Sequence, residues 1–341
     1  MSARQILTLI GLAGLTIFLY VFWGDLEQAG HLIKSVKWQY LLLIIPIQMV
    51  SFLSRAMFYK KALEVIDIPS PQVGRLYGLS LGVAFTNIIL PSAGASGISL
   101  MAASLKRNKI TAGQTTFIQI AHYAAIYITF IFLLLLALGA LYFGHDIARI
   151  AIRIVVLIIS VVVVFSLAAG YVIYDRRGLD WLAHFLQRVI DLLARRFRRG
   201  RDLIGTARIA RLLEEFHAGV HQVVQSRAYL RQPFWWALVG NLCEVTMFYL
   251  VFIALGFTLN PGIVIVAYAV ANIAGIISII PGDVGVYELT MVSVLSLVGV
   301  PLAISVSATL LYRVTTKALL IPAGFYFYNR YIKQATDAAH A

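Results

Sequence analysis

The sequence has few charged residues and almost no cysteine. Asp, Glu, Lys and Arg together make up 13% of the 341 residues, whereas about 25% is usual for a soluble domain. The single cysteine, Cys243, excludes a disulfide within the chain and a metal site built from several cysteines. The ATP-binding pattern Gly-x-x-x-x-Gly-Lys-Ser/Thr is absent as well, so the sequence gives no evidence of ATP use. We expect no cofactor.

The chain instead contains many long apolar runs. Hydrophobic residues make up 60% of the chain, and its mean hydropathy is +0.86. Runs of roughly 18 or more apolar residues can cross about 30 Å of hydrocarbon. We therefore predict an all-α polytopic membrane protein with a single transmembrane domain over 1–341. Its full spans are predicted at 6–23, 40–58, 113–143, 150–174, 233–256 and 302–328. We interpret the first as a retained helix and not a signal peptide, since Asp25 and Glu27 follow it.

Two further pairs of shorter apolar segments are broken by proline and glycine. The pair at 74–105 breaks at Pro91-Ser92-Ala93-Gly94, and the pair at 262–299 breaks at Pro281-Gly282. With Arg4 in the cytoplasm, every dense Lys/Arg cluster falls on one side, and both termini are cytoplasmic. The two pairs then enter from opposite sides, as in the inverted repeats of transporters. The halves would be 1–174 and 233–341; chance similarity of broken helices is the alternative. Whether each pair is re-entrant or fully spanning stays open.

The segment between the halves, 175–232, is rich in arginine and contains no lysine. One interpretation is a cytoplasmic loop that obeys the positive-inside rule. The other is an amphipathic surface helix whose arginines, Arg176–Arg201, contact anionic lipid headgroups. No nucleic-acid recognition motif accompanies this charge, so nucleic acid is not an expected partner.

Two charged residues inside predicted membrane segments are the leading candidates for a site. Glu288 follows the second break, and Arg313 lies in the last long apolar run. A charge at bilayer depth costs several kcal/mol, so it usually faces the protein interior and pairs. Glu288 and Arg313 are either a structural ion pair or a site in which Arg313 binds phosphate through its planar fork. In the second case Glu288 modulates Arg313 or carries a coupling proton.

The remaining candidates lie at the breaks or within apolar spans. Broken helices aim free N–H groups at a buried cavity, so the breaks are the expected walls of an anion site. The first-rank candidates are Asp283, Lys317, Asn87, Asn272, Gly94, Gly282 and Gly285, and the second-rank candidates are Glu244, His122 and Gln119. Packing roles are the alternatives: Asp283 as a helix N-cap, Lys317 reaching the interface, the amides as links between helices, and His122 as a hydrogen-bonded core residue.

Three segments carry a resemblance to a known family. Residues 281–288, Pro-Gly-Asp-Val-Gly-Val-Tyr-Glu, resemble the Pro-Gly-Gly-x-Gly-x-x-Glu stretch of the flippase-like transmembrane domain of lysyl-phosphatidylglycerol synthases (the multiple peptide resistance factor) and their stand-alone relatives. Residues 310–313, Leu-Leu-Tyr-Arg, are similar to its Leu-x-Tyr-Arg element, and residues 87–94 to its Asn-x-x-x-Pro-x-x-Gly segment. Where that family often has an acidic residue with an arginine and a later Glu-Arg pair, this chain has Gly97-Ile98-Ser99 and Gln119-Ile120-Ala121-His122. This departure argues against a symmetric charged site.

The resemblance implies a bacterial-type inner-membrane protein that moves a phospholipid or a polyprenyl or other lipid-linked headgroup between leaflets. The synthase activity of the long relatives resides in a further soluble domain, and we expect neither that domain nor aminoacyl transfer here. We therefore predict a non-ATPase translocase and not an enzyme. One alternative is an accessory subunit of a lipid or glycan synthesis complex, with a synthase or glycosyltransferase as partner. A remote alternative is an intramembrane serine protease, since Gly94-Ala95-Ser96-Gly97 matches a Gly-x-Ser-Gly stretch with His122 as a possible base.

Overall fold

A computed structural model describes residues 36–89, 95–108, 110–143, 156, 160, 231–277 and 285–340. Every regular element within those ranges is a helix, which confirms the predicted all-α class. Four of the described helices are long and apolar enough to cross a membrane, and four shorter apolar helices accompany them. The predicted span 6–23, nearly all of 150–174 and almost the whole Arg-rich segment 175–232 lie outside the described residues.

The helices fall close to the predicted segments. In the first half they are α1 (Trp38–Leu42), α2 (Ile44–Val65), α3 (Val73–Ile89), α4 (Ala95–Leu105), a 3-10 turn (Lys106–Asn108) and α5 (Ala112–Phe143). In the second half they are α6 (Arg231–Ala254), α7 (Pro261–Ile277), α8 (Val286–Leu297) and α9 (Leu302–His340). The largest difference is at the end of α9, which extends well past the predicted residue 328. Hydropathy marks where a helix leaves the hydrocarbon, but the helix itself can continue into water.

Local sequence signals explain several helix ends. Thr111 and Gln114 form a reciprocal capping box at the start of α5: the Gln114 N–H donates to Thr111 Oγ1 and the Thr111 N–H donates to Gln114 Oε1. Pro261 opens α7, where its missing N–H costs nothing, and the side chain of Asn260 accepts a bond from the Gly262 N–H. α8 ends before Gly299, whose φ of +89° closes the helix in a conformation that glycine adopts readily.

In both halves the helices follow each other in the same pattern of lengths. Helices α2 to α5 have 22, 17, 11 and 32 residues, and α6 to α9 have 24, 17, 12 and 39. At 1.5 Å per residue, α4 and α8 extend only about 17 and 18 Å, less than the roughly 30 Å of hydrocarbon. Neither short helix can therefore cross the membrane alone. Each follows a predicted break, at Pro91 and at Pro281.

Packing between the halves is reciprocal. The last long helix, α9, packs along α3 of the first half, while α5 packs against α7 of the second half. α2 and α6 pack against each other at the centre. Each half has its own apolar core, and the other half contributes to it: Phe130 and Leu134 of α5 join the second core, and Tyr331 of α9 joins the first. An inverted repeat would produce this kind of exchange, and the repeat itself stays a prediction.

The outer surface of the long helices is apolar. Large exposed side chains include Met49 on α2, Ile128 and Leu135 on α5, Leu242 on α6 and Phe325 on α9. In water such a surface would cause aggregation, whereas in a bilayer it is the face that contacts lipid. The protein is therefore a multi-pass membrane protein, and its polar residues between the helices require a separate explanation.

Candidate functional site

The structure brings Glu288 and Arg313 together inside the bundle. Arg313 Nε lies 3.1 Å from Glu288 Oε1, and both side chains are mostly buried, with 14% and 10% of their surfaces exposed. The Arg313 guanidinium carbon also lies 4.3 Å from the ring centroid of Tyr287, within cation–π range. Glu288 comes from the short helix α8 and Arg313 from the long helix α9. The predicted pair is therefore a real contact between an interrupted helix and its neighbour.

Glu288 also closes the start of α8. Its second oxygen, Oε2, accepts a 2.7 Å hydrogen bond from the backbone N–H of Gly285. Gly285 precedes the first helical residue with a φ of +89°, a conformation that suits glycine. The carboxylate thus complements the positive end of the helix dipole as well as the guanidinium. Glu288 therefore already supplies a negative charge at this helix end.

The first break is closed in a different way. Asn87, near the end of α3, accepts a 2.9 Å bond from the backbone N–H of Gly97 in the first turn of α4, and Ser96 Oγ donates to the same oxygen. The Asn87 amide nitrogen donates to the Tyr123 hydroxyl of α5 at 3.4 Å. A neutral amide in the first half therefore caps the short helix, where a charged carboxylate does so in the second. The starts of α4 and α8 are thus both capped by a side chain, and the two caps differ in charge.

Glu244 is a second carboxylate within a membrane helix, and it joins four helices. From its place on α6, its Oε1 accepts a 2.8 Å bond from Ser51 of α2. Its Oε2 accepts a 2.7 Å bond from Tyr312 of α9 and a longer one, 3.5 Å, from Tyr268 of α7. Among the described residues, no cation lies within ion-pair distance of this carboxylate. Its direct partners are hydroxyl groups.

Other predicted residues take packing positions. Gln119 is buried and accepts a 2.9 Å bond from the Tyr59 hydroxyl. Asn272 donates to the carbonyl of Tyr268 one turn earlier in its own helix. Lys317 is half-buried one turn beyond Arg313 on α9. Three predicted residues, Asp283, Gly94 and Gly282, lie outside the described residues, as do both break prolines.

His122 is buried on α5 but differs from the expected hydrogen-bonded core histidine. Its ring packs against Phe58 and Tyr59, with centroid distances of 4.9 and 5.3 Å. Its Nδ1 atom is buried and has no hydrogen-bond partner within the part of the chain that the structure describes. Ser96, the other half of the protease alternative, donates to Asn87 and to the Thr86 carbonyl. These contacts give no support to a Ser96–His122 nucleophile pair, which requires a direct hydrogen bond.

Sequence reasoning missed three residues of this interior. Arg55 lies near the end of the predicted span 40–58, and its guanidinium is 5.3 Å from the ring centroid of Phe52. A lone arginine inside an apolar run is the signal that could have found it. Tyr268 and Tyr312, the hydroxyl partners of Glu244, gave no comparable signal, because a tyrosine in an apolar helix is common at bilayer interfaces. In the described ranges no group of three or more His, Cys, Asp or Glu side chains could hold a metal ion.

Comparison with known proteins identifies the family of this chain. A family model described as the lysylphosphatidylglycerol synthase TM region matches residues 6–324. The chain belongs to the lysylphosphatidylglycerol synthase TM region family. The match includes both broken pairs and ends inside α9, so it covers Asn87, Glu288 and Arg313. It confirms the resemblance that residues 281–288 and 310–313 carry.

Relatives of this member of the lysylphosphatidylglycerol synthase TM region family include two proteins of Methanothermobacter thermautotrophicus (strain Delta H), each named as a UPF0104 membrane protein. The chain is 22% identical to the first over 313 residues, which is 90% of this chain and 89% of the relative. It is 31% identical to the second over 101 residues, about 30% of each chain. The first match therefore covers nearly the full length of both chains.

Proposed function

We propose that this chain moves an anionic lipid or a lipid-linked headgroup between leaflets, with Arg313 binding the phosphate. The observation that carries the proposal is the contact of Arg313 with Glu288, buried at the start of an interrupted helix. An arginine fork suits phosphate because its N–H groups match two phosphate oxygens. The acyl or polyprenyl tail would stay in the bilayer while the headgroup passes through the bundle.

The way in which Glu288 is held supports a role beyond structure. Its Oε2 is fixed by the Gly285 N–H, so the carboxylate keeps its position whether or not Arg313 is bound to it. Arg313 in turn rests on the face of Tyr287. Glu288 can therefore balance and orient the guanidinium while the site is empty, and a phosphate can replace it as the partner of Arg313.

The reciprocal packing of the halves supports rocking as the mechanism. α5 and α9 each complete the apolar core of the opposite half. A rigid-body motion of one half relative to the other would therefore shift α5 and α9 against the helices on which they pack. We place the chain in a plasma membrane, as the family resemblance implies, with both termini cytoplasmic because the dense Lys/Arg clusters then lie on one side. The Arg-rich segment 175–232 would then contact anionic headgroups on the cytoplasmic side.

A lipid-exchange assay with paired substitutions tests the role of Arg313. The purified protein is reconstituted in liposomes that carry a fluorescent anionic phospholipid, and the fraction of label accessible to an external quencher is followed. We expect exchange in the wild type and its loss in Arg313→Gln, in Glu288→Gln and in the double variant. The double variant leaves no unpaired buried charge, so it should stay folded. Recovery of exchange in the double variant would show that the pair is only structural and would overturn the proposal.

A matched control comes from a second ion pair. Lys61 and Glu64 are 2.8 Å apart near the end of α2 and are partly exposed. Lys61→Gln breaks this pair without touching the interior, so exchange should be unchanged. If the wild type exchanges no lipid and instead co-purifies with a synthase or glycosyltransferase, the accessory-subunit alternative replaces the transport proposal.

A further inference from the structure

A small polar cavity lies between α2, α5 and α6, and Glu244 forms part of its wall. Its volume is about 30 Å³, which is enough for one or two water molecules. The charged and polar side chains around it are Ser51, Ser54, Arg55, His122, Asn241 and Glu244. Arg313 and Glu288 are not among its lining residues. The cavity is therefore a second polar site in the membrane interior.

Arg55 supplies positive charge to this cavity. It acts electrostatically on both His122 and Tyr59. Neither Arg55 nor Glu244 has an ion-pair partner among the described residues, although both line the same small space. A cation and a carboxylate that share a cavity without direct contact require a polar medium between them, because an unsolvated charge at this depth is costly. Water is the medium that a space of this size can hold.

The Nδ1 atom of His122 also indicates that the cavity holds water. Nδ1 of this histidine is buried and has no hydrogen-bond partner among the described residues, and His122 lines the cavity. Buried polar atoms nearly always find a partner, which is often ordered water. A water molecule in the cavity can serve Nδ1 whether that atom donates or accepts.

The two membrane carboxylates have chemically different partners. Glu288 is bound by a guanidinium and a backbone N–H, which can only donate hydrogen bonds. Glu244 is bound by the hydroxyls of Ser51, Tyr268 and Tyr312, and a hydroxyl can either donate or accept. The surroundings of Glu244 can therefore hold a protonated carboxyl as well as a carboxylate.

We propose that Glu244 binds and releases a proton in this hydrated cavity. On binding, an O–H bond forms at a carboxyl oxygen of Glu244 while a hydronium ion in the cavity becomes water, and on release the proton returns to water. The titratable or charged groups near Glu244 are Arg55 of α2, His122 of α5, Tyr268 of α7, Tyr312 of α9 and Cys243 of its own helix.

A second step rests on the proposed transport function. Tyr312, which donates to Glu244, is the residue before Arg313 on α9. Protonation of Glu244 changes the hydrogen bond that holds Tyr312 and so shifts the position of Arg313. In this way the proton becomes the coupling ion for lipid movement.

Infrared difference spectroscopy tests the proton site without any transport assay. Spectra of the full chain in liposomes are recorded at a series of pH values, and the spectrum of Glu244→Gln is subtracted at each. The expected result is a carbonyl-stretch band of a protonated carboxyl that is lost in Glu244→Gln, retained in Glu288→Gln and shifted in D2O. A difference spectrum that lacks this carbonyl-stretch band at every pH would overturn the proposal. If Glu244→Gln does not fold, Tyr312→Phe replaces it: the band must then change position, because the carboxyl has lost a hydrogen bond, and an unchanged band overturns the proposal.

The coupling step has its own readout. An imposed pH gradient should bias the leaflet distribution of the labelled lipid in wild-type liposomes and should not do so with Glu244→Gln. An equal bias in both proteins would overturn the coupling. Failure of the transport function looks different: the wild type would exchange no lipid at all, while the infrared band of Glu244 would still be present.

Discussion

The Tyr312 hydroxyl donates a 2.7 Å hydrogen bond to Glu244, and the next residue, Arg313, binds Glu288 at 3.1 Å. Successive residues on a helix point about 100° apart, which follows from 3.6 residues per turn. Two neighbouring side chains of α9 therefore reach two different carboxylates, one on α6 and one on α8. Any rotation or shift of α9 changes both contacts together, so the two polar sites are mechanically linked through this helix.

The stability of the Glu288–Arg313 pair should be strongly non-additive. Glu288→Gln or Arg313→Gln alone leaves a buried charge without its partner, and we expect each to lower the free energy of unfolding by about 3–5 kcal/mol. The double variant should lose much less than the sum. Thermal unfolding in detergent measures all three. Lys61→Gln serves as the control, because an exposed pair contributes only about 0–1 kcal/mol. Additive losses would show that the two side chains are not coupled.

Asn241 should hold α6 to α5. Its amide nitrogen donates to Thr129 Oγ1 at 2.6 Å and to the Ile126 carbonyl at 3.0 Å. We expect Asn241→Leu to lower the free energy of unfolding by roughly 1–2 kcal/mol, the range for hydrogen bonds between membrane helices. Because Asn241 and Thr129 share a hydrogen bond, Thr129→Val combined with Asn241→Leu should lower the free energy of unfolding little further. Thr116→Val is the control, since that hydroxyl bonds to Ala112 of its own helix; an equal loss there would contradict the assignment.

The contact of α3 with α9 should not tolerate a side chain at Gly324. A Cβ atom there would lie 2.5 Å from Phe85 Cβ and 3.0 Å from the Leu81 carbonyl oxygen. We expect Gly324→Ala to force the helices apart and to lower the free energy of unfolding by about 1–3 kcal/mol. Gly74→Ala, on α3 itself, meets nothing within 4 Å and should be neutral or stabilising. Equal thermal stability of the two variants would disprove close packing at Gly324.

The Asn87 cap should control the start of α4. Asn87→Ala removes the oxygen that accepts from Gly97, which should cost about 1 kcal/mol and speed hydrogen–deuterium exchange of amides in the first turn of α4. Asn87→Asp keeps an acceptor oxygen and should preserve protection. Gly97→Ala should resemble Asn87→Ala, because its Cβ would lie 2.5 Å from Asn87 Oδ1. Unchanged exchange in Asn87→Ala would show that the cap does not hold this helix.

How far the sequence predicts the site depends on how local each feature is. The break before Glu288 and the apolar run around Arg313 are both visible within one stretch of sequence, and the cost of burying charge then predicts their pairing. The cavity was not predictable in the same way. Glu244 ranked second and Arg55 was missed, because their surroundings come from helices far apart in the chain: Ser51 and Tyr312 are separated from Glu244 by 193 and 68 residues.

The sequence by itself determined the class of protein and its helices, since apolar length, capping residues and helix-breaking residues act over a few turns. It also determined that a carboxylate and an arginine must be sheltered from lipid. Only the tertiary structure decided which partners the buried groups have. It gave Glu288 partners that can only donate hydrogen bonds and Glu244 partners that are hydroxyls, and it placed His122 in the wall of a cavity. These differences arise from which helix faces meet, and that depends on the packing of the whole bundle.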